Sequence, residues 1–132
     1  MASFGLTHVL NVSDELPNYF EDKGITYMKI PVKDYESEDI TSYFKTAYEF
    51  IEHARDSRML IHCVLGRSRS FAFLVMFIMK KYRLGFEEAN EVVNERRFLG
   101  QINLGFEEQL IAFEKNKWEF KESAPADTKI EE

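Results

Sequence analysis

The chain has 132 residues, 45% of them apolar and 14% aromatic, with a formal charge of −6, which suits one folded domain with a filled core. The acidic balance weighs against a general nucleic-acid binder, whose domains carry a basic face. No apolar run of membrane-spanning length and no basic-then-apolar leader can be read, so neither a spanning helix nor a signal peptide is expected. The single cysteine excludes an internal disulfide and fits a reducing compartment, the cytoplasm first and the nucleus second.

In chain order, residues 7–12 and 27–32 read as strands separated by a polar segment holding Pro17 and Gly24. Asp39 is a fitting N-cap for a helix over 40–55, in which Phe44, Ala47, Tyr48, Ile51 and Ala54 share one face. The short apolar run Arg58-Met59-Leu60-Ile61-His62 reads as a buried strand. Residues 70–80 are long and apolar enough for a helix buried on most sides, continuing to about Tyr82. Gly85 precedes a helix over 86–97 with Ala89, Val92 and Val93 inward. The last helix opens after Asn103 as N-cap and runs through Leu110 and Phe113 towards Trp118. This alternation predicts an α/β fold within residues 1–120, a central, mostly parallel sheet flanked by helices. Residues 121–132 are polar, lack a periodic apolar pattern and are expected to form a disordered tail.

Between the third strand and its helix stands His62-Cys63-Val64-Leu65-Gly66-Arg67-Ser68-Arg69-Ser70. Five residues separate Cys63 from Arg69, enough to curl backbone N–H groups around one oxyanion with the sulfur below and the guanidinium fork at the rim. The loop residues Cys63, Val64, Leu65, Gly66, Arg67, Ser68 and Arg69 are therefore the expected phosphate cradle. A thiolate is needed for attack on phosphorus; loop amides, a helix N-terminus and a guanidinium all favour it over the thiol. Gly66 permits the tight turn, and Arg69 offers two parallel donors that a lysine cannot match. Five identities at set spacing arise by chance with a probability of roughly 10⁻⁵ to 10⁻⁴ in a chain of this length. No cluster with metal-ligand spacing is present and no cofactor is expected.

At these residues the chain resembles the cysteine-dependent phosphatases with the HC-x5-R signature. Within them, Ser68-Arg69-Ser70 is similar to the loop ending of the dual-specificity protein phosphatases. Two further stretches fit: Asn11-Val12-Ser13 through Pro31-Val32-Lys33-Asp34, and Asn103-Leu104-Gly105-Phe106-Glu107-Glu108-Gln109-Leu110, similar to the segment that opens that family's last helix. The likeness covers about residues 5–117. Ile102 stands where that segment usually has proline, Phe71 replaces a smaller residue or proline, and the usual opening hairpin and first helix are missing.

The resemblance implies a protein tyrosine phosphatase-like fold, N-terminally shortened. It also implies hydrolysis of phosphotyrosine and phosphoserine or phosphothreonine through a phosphocysteine on Cys63. Asp34 matches the acid that protonates the leaving group, with Asp39 as competitor; the helix-capping task of Asp39 would turn its carboxylate to backbone N–H groups. Ser70 would assist thiolate departure, and His62 would order the loop. A phosphorylated protein is the implied partner, a doubly phosphorylated kinase among the candidates, with Arg67 facing either its second acidic group or solvent. Arg58, Arg96 and Arg97 could add a positive mouth, although a solvated face is the plainer reading. Neither nucleic acid nor membrane is an expected partner. The rival readings are a phosphate-binding pseudophosphatase or interaction module, a phosphoinositide phosphatase, which would favour loop lysines, and an RNA 5′-triphosphatase, which would favour a more basic surface. With the opening hairpin missing, one side of the sheet is left unpaired; if the strand entering the signature lies at that edge, the expectation is either self-association through it or lower stability than a full-length relative, which light scattering across a concentration series and thermal melts together read.

Overall fold

Side chains alternate across a strand, so two adjacent apolar residues serve two different faces. In the computed structural model, which describes residues 6–13, 24–54, 58–62, 68–96, 101–121 and 127–129, strand β1 (Leu6–Asn11) pairs in parallel with β2 (Thr26–Lys29) and with β3 (Arg58–His62). Leu10 stands opposite Met28 and Ile61, and Val9 opposite Tyr27 and Leu60. Leu10 and Met28 enter the main core under the helices, whereas Val9, Ile25 and Tyr27 form a second buried cluster on the opposite face.

The strand order is β3-β1-β2-β4, which puts β3 at one edge of the described sheet. That agrees with the expected edge, but the strand is not the buried one its apolar run suggested. Leu60 is 43% exposed, because an edge strand has a neighbour on one side only. The C-terminal stretch also departs from expectation. Asp127–Lys129 forms β4, antiparallel to β2, with Thr128 opposite Met28. A tail without apolar periodicity cannot build an element by burial, but it can satisfy the open backbone groups of a strand already in place.

Among the described residues four α-helices flank the sheet: α1 (Phe44–His53), α2 (Ser68–Tyr82), α3 (Phe86–Arg96) and α4 (Leu104–Lys115). Their apolar faces, with those of the strands, form one continuous core. Helix α2 is the centrepiece, burying Phe71, Ala72, Phe73, Val75, Met76, Phe77 and Met79 as its composition predicts. Phe44 of α1 meets Phe73 of α2 at 5.8 Å and Phe113 of α4 at 5.0 Å, both edge to face, and so joins three helices at one ring.

Boundaries shift for local reasons. Helix α1 is preceded by a 3-10 turn over Thr41–Tyr43, since the Asp39 carboxylate accepts from the Thr41 N–H at 3.0 Å and from the Thr41 and Ser42 hydroxyls. Helix α4 stops at Lys115; Lys117 and Trp118 take left-handed backbone, and the Trp118 N–H closes on the Phe113 carbonyl at 2.9 Å. Among the described residues no helix is long and apolar enough to cross a membrane.

Candidate active site

The parallel strands β1, β2 and β3 end on one side of the sheet, and the chain leaves that side in two directions that matter here. From β3 it passes through residues 63–67 into α2, which begins at Ser68, two residues earlier than periodicity suggested. Arg69 therefore sits in the first helical turn, only 4% exposed. Its Nη1 donates to the Val32 carbonyl at 3.0 Å. A guanidinium taken this far from water requires oriented acceptors, and a backbone carbonyl is one.

From β2 the chain turns at once. The Val32 N–H donates to the Ile30 carbonyl at 2.8 Å, closing a three-residue turn that includes Pro31. The carbonyl of Val32 thus comes to Arg69, and the following residues, Lys33 to Ser37, run along the surface. The loop is tied back on itself by the Lys33 N–H to Glu38 Oε1 at 2.6 Å and by the Glu38 N–H to the Tyr35 carbonyl at 3.0 Å.

Helix α4 holds this loop from outside. Asn103 caps the helix by accepting the Phe106 N–H on Oδ1 at 2.8 Å. Its Nδ2 donates to Asp34 Oδ1 at 2.8 Å, and its backbone N–H donates to the buried Ser68 Oγ at 3.0 Å. Two residues on, a Cβ at Gly105 would lie 2.0 Å from the Glu36 carbonyl oxygen, so only glycine lets the loop backbone approach this closely. One turn further, Gln109 accepts the Ile40 N–H on Oε1 and donates from Nε2 to the Glu38 carbonyl, both at 2.8 Å. Phe106 and Leu110 are fully buried in the core. The stretch Asn103-Leu104-Gly105-Phe106-Glu107-Glu108-Gln109-Leu110 is thus a clamp on the Asp34 loop. The stretch is legible in the sequence, but the tasks of Gly105 and Gln109 are not, since they exist only across some 70 residues of chain, 69 to Ile40 and 71 to Glu38 for Gln109.

Of the residues expected at the site, Asp34, Ser68 and Arg69 are brought to one end of the sheet and linked through Val32 and Asn103. Ser70 lies half-buried on the first turn of α2. Cys63, Val64, Leu65, Gly66 and Arg67 lie outside the described residues, as do Arg97 and the side chains of His62, Arg58 and Arg96. Asp39 is engaged elsewhere. Burial alone would raise its carboxyl, but hydrogen bonds from Ser42 and Thr41, with the Lys121 ammonium 3.5 Å away, outweigh that and hold it below the ordinary carboxylate value. Another polar pair marks the end of β1: Ser13 Oγ donates to Asn11 Oδ1 at 2.7 Å, both side chains fully buried.

Comparison with known proteins follows the same boundaries. The family model described as dual specificity phosphatase, catalytic domain, matches residues 1–116. Human dual specificity protein phosphatase 4 is 41% identical over 114 residues, covering 85% of this chain and 29% of that protein. The chain spans about three tenths of the length of the curated relatives it matches. A mouse putative dual specificity phosphatase solved with zinc tungstate superposes with a TM-score of 0.76 and 31% identity, over 85% of this chain and 71% of that one. Human tyrosine phosphatase-like serine/threonine/tyrosine-interacting protein does so at 0.76 and 29%, over 85% and 78%.

Proposed function

The chain belongs to the dual specificity phosphatase family, matched over residues 1–116 as a catalytic domain, and we propose that it hydrolyses phosphotyrosine and phosphoserine or phosphothreonine in proteins through a phosphocysteine. The observation that carries this reading is the 3.0 Å bond from Arg69 to the Val32 carbonyl, which joins the signature to the Asp34 loop across 37 residues. An anion-gripping fork and a carboxylic acid then serve the same bound phosphate, which is what phosphoryl transfer to a side chain requires.

In the first step the Cys63 thiolate attacks phosphorus and the bond to the leaving oxygen breaks, while that oxygen takes the proton of Asp34. Arg69 has five donors, so it can keep its anchor on Val32 and still grip two equatorial oxygens as charge shifts in the transition state. In the second step the Asp34 carboxylate takes a proton from water, the water oxygen attacks phosphorus, and the S–P bond breaks. The departing thiolate accepts a hydrogen bond from the Ser70 hydroxyl, and inorganic phosphate leaves. No metal or cofactor takes part. The single cysteine suits a reducing compartment, where it stays free for this chemistry.

The deciding experiment compares wild type with Cys63→Ser on phosphopeptides, phosphoinositides and triphosphate-ended RNA. Turnover should be highest on phosphopeptides and vanish in Cys63→Ser, which should still bind tungstate because the amides and Arg69 remain. Retained turnover in Cys63→Ser would falsify the mechanism. Phosphopeptide binding without turnover in the wild type would make the domain a binding module.

A further inference from the structure

The family match ends at residue 116, just past α4, yet residues 117–121 are built into the molecule. Lys117 and Trp118 take left-handed backbone at φ 55° and 58°, which side chains of this size adopt where contacts offset the strain. Those contacts are present. Trp118 Nε1 donates to the Leu84 carbonyl at 3.0 Å, and Lys80 Nζ donates to the Trp118 carbonyl at 2.9 Å while lying 4.8 Å over the Phe120 ring. Phe120 stacks on Phe113 of α4 at 5.8 Å and tilts against Tyr48 of α1 at 5.7 Å. The segment thus crosses from the end of α4, over the end of α2, to α1.

At Lys121 it reaches the acid loop. The Lys121 Nζ lies 3.5 Å from Asp39 Oδ2, in the turn through which that loop passes into α1. Further on, Asp127–Lys129 runs along β2 with Asp127 opposite Lys29, beside the end of the strand from which the loop departs. The two attachments therefore sit at the exit and the entry of the loop, whereas α4 grips its middle at Asp34, Glu36 and Glu38. A strand paired on both sides is held more firmly than one with an open edge, and a cation beside a capping carboxylate favours its charged, bond-accepting form. We infer that residues 117–121 and 127–129, which lie outside the matched domain, form a positioning strap for the leaving-group acid, setting both ends of the loop from which Asp34 reaches the phosphate. This role rests on the reading of Asp34 as the acid.

The test loosens each attachment in the full chain. Lys121→Glu sets a carboxylate against Asp39, and Lys121→Arg keeps the cation. Thr128→Pro with Lys129→Pro removes the N–H that faces β2, whichever of the two neighbours carries it, because ladder donors alternate along a strand. These variants, alone and in the Asp34→Asn background, are assayed on a phosphoserine peptide, whose alkoxide needs a proton, and on p-nitrophenyl phosphate, whose phenolate scarcely does. Thermal melts confirm folding. Lys121→Glu and the proline pair should each lose about 3- to 10-fold in kcat on the phosphoserine peptide and less than about twofold on the aryl ester, through misplacement of the acid. Lys121→Arg should keep the wild-type ratio between the two substrates. With Asp34→Asn in place the strap variants should cost nothing more, because there is no longer an acid to place. Equal losses on both substrates, further loss in that background, selectivity lost from one attachment only, a Lys121→Arg as impaired as Lys121→Glu, or no loss at all would overturn the inference. If Asp34→Asn itself shows no dependence on the leaving group, the acid assignment has failed and the inference falls with it. Intact dependence in Asp34→Asn alongside insensitive strap variants removes the inference alone. Absence of turnover in the wild type removes both.

Discussion

Arg69 reaches the site from inside the molecule, in the first turn of a helix packed on most sides, with 4% of its surface exposed. Asp34 reaches it from a loop whose residues 33–37 are all exposed and which is held by polar contacts from α4 and by the space left at Gly105. The two groups proposed to act on one phosphate are thus secured by different physics. The grip on the anion shares its fate with the core, while the proton donor depends on a few hydrogen bonds worth about 0.5–1.5 kcal/mol each. It follows that the acid arm can be displaced in a folded protein and the arginine arm cannot.

The largest effect should come from Arg69→Lys, which tests the rigid side. A lysine cannot span the Val32 carbonyl and two phosphate oxygens together, so kcat/KM on every phosphoester should drop by about 10²- to 10³-fold. The melting temperature should fall with it, since a buried ammonium keeps fewer partners than the guanidinium had. A fully active or fully stable Arg69→Lys would break the comparison, because the fork would then be anchored no better than the acid.

Gly105→Ala sharpens the other side. Its Cβ would meet the Glu36 carbonyl oxygen at 2.0 Å, a backbone atom, so the loop must move away from α4. Unfolding free energy should fall by about 1–3 kcal/mol in urea titrations. Turnover of alkyl phosphates should fall about 10- to 100-fold through misplacement of the acid, with aryl phosphates affected less. Equal losses on both would mean that the loop shift also reaches the anion grip.

The smallest effect belongs to Asp39→Ala, at the far end of the loop. It removes the acceptor of the 3-10 turn before α1, and caps of this kind contribute about 0.5–2 kcal/mol. The folded carboxyl lies below its ordinary value, so its stabilisation is present above the ordinary carboxylate range and is lost as pH falls through the folded one. Denaturation curves should therefore show a gap between wild type and variant at neutral pH that closes in acid. A gap of constant size would show that the turn, and not the ionised carboxylate, supplies it.

What residues 70–80 and Asp39 do was legible in the chain, because helix burial and capping depend on neighbours a turn or two away. The strand that ends before Cys63 and the helix that carries Arg69 were legible for the same reason, as was Asn103 as an N-cap. The bonds from Asn103 to Asp34 and from Arg69 to Val32 were not, since periodicity reports which face of an element is apolar and says nothing of which polar end meets it across 69 or 37 residues. Nor could pattern tell that Asp127–Lys129 would add a strand, or that Leu60 would be left half open. Backbone hydrogen bonding at a sheet edge asks only for an extended segment within reach, and reach is set by where β2 and β3 come to lie in the folded sheet.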